Sequence, residues 1–238
     1  MTVKDFMLKL VRVTKESEDV KTFRFEPDKP VEFHTGQYIM LSGEINGEKV
    51  TRCYSVSSSP SHQDYVEITF KVYPDGKFSP FLWNMKEGDT IQGKGPMGFF
   101  CFDKCDVKDM VFIAGGTGIA AFTGMVRYAT EKGLDVKMML IYSARNPEEI
   151  VFRDELFGIE KKNPKFRFVV TITRPWTSKT KWEGRTGRID AEFLKETISD
   201  PENKTFYLCG PPKMVESTKE MLKEIGVKED KVKAERWG

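Results

Sequence analysis

Cysteine is scarce in this chain, with four residues among 238, at Cys53, Cys101, Cys105 and Cys209. Only Cys101 and Cys105 lie close together, so neither a disulfide framework nor the regular thiolate spacing of an iron–sulfur cluster is present, and no metal site is expected. An excess of one charge is missing too. Lys plus Arg number 38 against 36 for Asp plus Glu, a formal net charge of +2 that makes no overall electrostatic case for nucleic acid. Long apolar runs are absent: Met110 to Val126 is uncharged, but it holds several glycines and is shorter than a membrane span. The N-terminal stretch, Met1 to Asp19, alternates charge with apolar residues and lacks the apolar core of a secretory signal, so a cytoplasmic protein is expected. There are no repeats, and the charge-rich stretch from Lys219 to Arg236 reads as a solvated face or a docking surface.

What the chain does have is Met110 to Gly118, MVFIAGGTG, an apolar run into glycines that is followed by a second apolar run from Ile119. A buried strand, a glycine turn and a helix leave several backbone N–H groups aimed at one spot, which suits a phosphate. A Walker loop is excluded, because no Gly-Lys-Ser or Gly-Lys-Thr follows. Gly116-x-Gly118-x-x-Ala121 meets the dinucleotide fingerprint loosely, and the next strand, Val136 to Tyr142, ends in Ser143 where that pattern wants an acid. By itself the stretch is also readable as a tight turn with close helix–strand packing.

Arg52-Cys53-Tyr54-Ser55 adds an arginine fork able to hold a pyrophosphate, an aromatic ring two residues on that points the same way from a strand, and a hydroxyl. Singly these are ordinary surface and strand residues. In combination they match a phosphate, a flat ring and a polar ring edge. Downstream, Gly76-Lys77-Phe78-Ser79-Pro80 predicts a short helix with Ser79 as N-cap and Pro80 as first helical residue, a second anion site.

The two halves of the chain differ in hydrophobic period. Up to about Phe102 there are short alternating runs, Phe6 to Val13, Val20 to Phe25, Tyr38 to Leu41 and Tyr65 to Val72, which read as all-β. Beyond Asp103, buried strands at Met110 to Ala114, Met138 to Tyr142, Phe166 to Ile172 and Thr205 to Leu208 alternate with helical segments. The last of these, Pro212 to Ile225, sets Met214, Val215, Thr218, Met221, Leu222 and Ile225 on one face, expected to cover the sheet.

At this point the chain resembles the ferredoxin–NADP reductase superfamily, in the branch holding cytochrome b5 reductases, flavin reductases and oxygenase reductase components. Arg52-Cys53-Tyr54-Ser55 resembles its R-x-Y-S flavin motif, Gly76 to Ser79 its flavin pyrophosphate loop, and Gly95-Pro96-Met97-Gly98 its G-P-x-G. Gly115 to Ile119 resembles its G-G-T-G-I nucleotide loop, and Cys209-Gly210-Pro211-Pro212 the C-G-P-P segment that faces the nicotinamide. The resemblance implies an N-terminal antiparallel Greek-key FAD-binding barrel, residues 1–102, followed by a Rossmann-like parallel-sheet NAD(P)-binding α/β domain, residues 103–238.

The same resemblance implies that Arg52 binds the flavin pyrophosphate, Tyr54 packs on the flavin and Ser55 hydrogen-bonds near the nitrogen that accepts hydride. Lys71 and Val72 are expected to add backbone contacts, and Gly76, Lys77, Phe78 and Ser79 the anion-binding turn. Gly116, Thr117, Gly118, Arg145, Gly210, Pro211 and Met214 are the expected nucleotide contacts. Cys209, closing an apolar strand, is either an inert buried side chain or a thiol against the nicotinamide, and the Gly-Pro-Pro that follows favours the second. Glu235 and Trp237 resemble the acid and ring-covering aromatic at the end of plant-type reductases, the alternative being a frayed tail.

NADH and NADPH both remain open as donors: Arg145 could pair with a 2′-phosphate, with Arg153, Arg174, Lys179 and Lys181 assisting. Without an internal cluster, electrons are expected to leave from FAD to a ferredoxin, flavodoxin, cytochrome, oxygenase component or diffusible acceptor. The alternatives are a flavin reductase that uses free flavin as substrate, and a non-catalytic regulatory subunit.

Overall fold

The computed structural model describes residues 3–103 and 107–236, so the expectations for Cys105 and Trp237 lie outside the described residues. Two compact units are formed, Met1–Cys105 with Thr123–Glu131, and Asp106–Phe122 with Lys132–Gly238.

The N-terminal unit is built on β1 (Lys4–Lys15), β2 (Val20–Pro27), β3 (Tyr38–Ile45), β4 (Glu48–Ser55), β5 (Val66–Lys71) and β6 (Thr90–Met97), with α1 (Phe78–Trp83) between the last two strands. All pairings are antiparallel, in the order β4-β3-β6-β1-β2-β5. Just past β4, Val56 bridges to Ile68 of β5, so the two edges of the sheet meet and the sheet curls on itself. Alternation drives the curl: along β1, Phe6, Leu8 and Leu10 point inward while the residues between them are exposed or half-exposed. Each such side chain contributes about 1.5–3 kcal/mol by leaving water. Phe23 centres an aromatic cluster, edge-on to Phe25 at 5.9 Å and to Phe70 at 5.0 Å.

The C-terminal unit contains β7 (Asp109–Gly115), the start of α2 (Ile119–Glu131), β8 (Lys137–Ala144), α3 (Arg153–Lys162), β9 (Phe166–Ile172), β10 (Arg185–Thr186), α4 (Ala191–Thr197), β11 (Thr205–Gly210), α5 (Pro212–Glu224) and β12 (Val232–Arg236). The strands are parallel in the order β10-β9-β8-β7-β11-β12. From Met110 to Gly115 every residue of β7 is buried, as a central strand covered on both faces requires. The expected barrel-like antiparallel half and parallel α/β half are both present. The charge-rich stretch before Arg236 is neither all solvated face nor all docking surface: it ends as β12, a half-buried strand in register with β11. No described helix is long and apolar enough to cross a membrane.

Candidate functional site

Two groups of site residues form, one within each unit. In the N-terminal unit β4 carries Arg52, Cys53, Tyr54 and Ser55 at its end. Arg52 is exposed, its guanidinium donating to the Thr51 carbonyl at 2.8 Å. Tyr54 turns the same way as Arg52. Its ring meets Phe70 edge-on at 6.0 Å and tilts against the buried Phe78 at 6.2 Å, so strand, strand and short helix converge on one aromatic wall. Burial pushes the Tyr54 phenol well up, with nearby Arg52 pulling weakly the other way, so the ring stays neutral. Burial raises the Cys53 thiol likewise. Ser55 is half-buried, and its hydroxyl holds no hydrogen bond among the described residues.

The neighbouring loop differs in detail from what its sequence suggests. Ser79 is not the N-cap: α1 starts at Phe78, Lys77 already has helical angles, and no side chain caps the helix. The Ser79 hydroxyl instead accepts from the Tyr73 N–H at 2.9 Å and donates to the Tyr73 carbonyl at 3.3 Å. A serine prefers the nearest unpaired backbone group, and here the turn closed by Gly76 N–H on the Tyr73 carbonyl brings Tyr73 within reach. The consequence favours an anion, since the first-turn N–H groups of α1 are left without a side-chain acceptor. Lys77 is exposed beside Glu48 at 3.4 Å. The Lys71 ammonium pairs with Asp19, and Val72 N–H donates to the Asp19 carbonyl at 2.9 Å, so Val72 has its own carbonyl to offer a ligand.

In the C-terminal unit β7 is flanked by β8 on one side and β11 on the other, so the strand order reverses between β7 and β11. Ligands of open α/β sheets bind outside the carboxyl ends of strands at such a reversal. There Gly116, Thr117 and Gly118 leave β7 as a 3-10 turn that leads into α2. Gly116 has φ 56°, which glycine tolerates, and a Cβ on Gly118 would stand 2.3 Å from the Cys209 carbonyl oxygen. Cys209 and Gly210 end β11, Pro211 follows, and the Met214 sulfur lies 2.5 Å from where a Cβ on Gly115 would be. Glu235 of β12 is in register with Cys209. Thus Gly116, Thr117, Gly118, Cys209, Gly210, Pro211, Met214 and Glu235 gather at one end of the sheet. Cys209 itself is fully buried.

Arg145 follows the carboxyl end of β8, and its Nε donates to Glu149 Oε2 at 2.6 Å. Asn146 caps the turn that carries this acid, accepting from Glu149 N–H at 3.1 Å. The adjoining Glu148 Oε1 accepts from the N–H groups of Lys179 and Thr180, both at 3.0 Å, and from the hydroxyls of Ser178 and Thr180. Although desolvation works the other way, these donors hold the Glu148 carboxyl below its ordinary value. Neither acid stood out in the sequence, yet Asn146-Pro147-Glu148-Glu149 is a legible cap signature that places acids just after the second strand of the α/β half.

An antiparallel unit with an aromatic-walled anion turn, joined to a parallel unit with a glycine crevice at its strand reversal, defines a flavin- and dinucleotide-binding class of protein. Residues 7–118 match the oxidoreductase FAD-binding domain and residues 112–220 the oxidoreductase NAD-binding domain. NADH-cytochrome b5 reductase 2 of Gallus gallus is 33% identical over 89% of this chain and 79% of its own length. The glycine betaine monooxygenase reductase subunit of Chromohalobacter salexigens is 33% identical over 92% of this chain, which spans only 60% of that protein. Among solved structures, a ferredoxin NADP+ reductase from Neisseria gonorrhoeae with bound FAD and NADP superposes with TM-score 0.82 at 26% identity, covering 99% of each chain. The chain belongs to the ferredoxin–NADP reductase superfamily.

Proposed function

We propose that the protein is an FAD-dependent oxidoreductase that takes hydride from a nicotinamide nucleotide and passes electrons to a separate acceptor, an oxygenase component or a cytochrome. The cofactor domains are assigned to residues 1–102 and 103–238. The observation that supports this reading is that motifs far apart in sequence meet within each unit, Tyr54 against Phe78 in the first and Gly118 against Cys209 in the second. FAD fits the first: uncapped N–H groups and Lys77 for its pyrophosphate, the Arg52 guanidinium for the same charge, and the Tyr54 face for its ring. When bound, it supplies the two-electron to one-electron conversion that no side chain can perform. The dinucleotide fits the second, its pyrophosphate against the Gly116 to Gly118 turn, which is open at Gly116 and packs on Cys209 at Gly118.

Within this scheme Ser55 offers an unspent hydroxyl to the flavin ring edge. Glu235, beside Cys209, supplies a carboxylate able to hold or release a proton at the same strand end. Gly210 and Pro211 keep the crevice free of larger side chains. The donor is NADH. Arg145 is held by Glu149, and the backbone donors of Lys179 and Thr180 by Glu148, so a 2′-phosphate placed against them would meet these two carboxylates.

Purification followed by an absorption spectrum, with NADH and then NADPH added anaerobically, tests the reading. A yellow protein bleached faster by NADH is expected. A colourless protein that turns over added free flavin would make it a flavin reductase, and one that binds no flavin would overturn both.

A further inference from the structure

Directly after Ser55 the chain runs through Val56 to Ser59, all four residues buried. Its backbone is gripped on every side. Val56 N–H donates to the Gln37 carbonyl at 2.9 Å, Ser57 N–H to the Glu67 carbonyl at 2.8 Å, and Glu67 N–H to the Ser58 hydroxyl at 3.0 Å. The Glu67 side chain on β5 is only 9% exposed, yet it carries a carboxylate. Oε1 accepts from Arg24 at 2.8 Å and 2.9 Å, and Oε2 from Arg127 at 2.6 Å. The same Arg127 nitrogen donates to the Ser57 carbonyl at 2.8 Å. One turn earlier in α2, a Cβ on Gly124 would stand 2.8 Å from the Ser58 carbonyl oxygen and 3.1 Å from that of Val56.

A largely buried ion cluster is costly to desolvate and is often replaceable by apolar residues without loss of stability, so stability alone is a poor reason to keep one. This cluster has a second property: Arg127 carries it onto the backbone at the Ser57 carbonyl, two residues beyond Ser55. A charge-assisted bond from a guanidinium that Glu67 itself holds fixes that backbone more tightly than dispersion contacts would.

We propose that Arg127 and Glu67 are positioning residues for Ser55, holding the Val56–Ser59 segment so that the Ser55 hydroxyl stays aimed at the flavin. This rests on the assignment of Ser55 to the flavin. A hydroxyl displaced by about 1 Å loses on the order of 100-fold in rate without any change in nucleotide binding.

The test is single-turnover reduction of the FAD-loaded protein by NADH, with flavin content, melting temperature and apparent NADH affinity measured in parallel. Arg127→Met, close in volume, is expected to keep its flavin and its NADH affinity while the saturating rate falls at least about 10-fold, and Arg127→Lys is expected to recover part of it. Glu67→Gln should fall between them. On a Ser55→Ala background, Arg127→Met should slow reduction no further, because both changes act through one hydroxyl.

A lowered melting temperature with a saturating rate within about twofold of wild type would overturn the proposal, as would full additivity with Ser55→Ala. Should Arg127→Met fail to fold, the Lys and Gln variants carry the same decision. A Ser55→Ala single variant that reduces at the wild-type rate would remove the premise, and that result is recognised without any Arg127 variant.

Discussion

The two units build their candidate sites by opposite means. The N-terminal group relies on side chains: a guanidinium, a tyrosine ring wedged between Phe70 and Phe78, and a hydroxyl, all presented at strand ends. The C-terminal group relies on the lack of side chains, with Gly116 permitting the positive φ of the turn after β7 and Gly118 letting that turn press against the carbonyl of Cys209. The lesson is that substitutions in the first group should change chemistry by degrees, whereas those in the second should abolish a fit.

The sharpest way to break this contrast is Gly118→Ala. Its Cβ would lie 2.3 Å from backbone rather than from a movable side chain, so the turn must shift. Reduction by NADH, followed by stopped flow, should fall on the order of 100-fold while FAD content is kept. A variant within about twofold of wild type would mean the close approach is not needed for nucleotide binding.

A middle-sized effect is expected from Glu149→Gln, which removes the charge of Arg145's 2.6 Å partner. The ratio of kcat/KM for NADH to that for NADPH should drop about 10-fold, a change of about 1.4 kcal/mol, and an unchanged ratio would remove Arg145 from donor choice.

The smallest effect concerns pH and the first unit alone. The Tyr54 phenol is raised by burial above the ordinary 10.0, so the folded protein keeps its proton where the unfolded chain has lost it. Its contribution to stability is full below that value and declines as pH rises beyond it, by up to about 1.4 kcal/mol per pH unit. In urea melts, Tyr54→Phe should therefore flatten the alkaline decline above about pH 10, and parallel curves for the two proteins would show the phenol to be solvated.

Much of this was legible along the chain. Phe166–Ile172 is a strand with the limits its apolar run suggests, and the helix read as Pro212 to Ile225 spans Pro212–Glu224. β6 was not read, for a physical reason: its buried positions are Ile91, Gly93, Gly95 and Pro96, and the volume over the glycines is filled by Phe6 and Ile39 from neighbouring strands. Hydropathy alternation cannot register a core position whose bulk comes from elsewhere. β12 escaped because a charged, half-buried edge strand has the composition of a solvated tail. The Ser79 hydroxyl went to Tyr73 rather than to a helix end, since the Tyr73–Gly76 turn just before it offers a competing backbone group.

By itself the sequence determined the two classes of sheet, the order of the nucleotide motifs and the family, because period, glycine placement and motif spacing are properties of neighbouring residues. Only the tertiary structure decided that Glu67 and Arg127 grip the segment after Ser55. It also decided that Thr123–Glu131 is compact with the N-terminal strands rather than with the rest of its half. Those pairings join residues up to 70 positions apart, and long-range contacts of that kind leave no periodic trace in one chain.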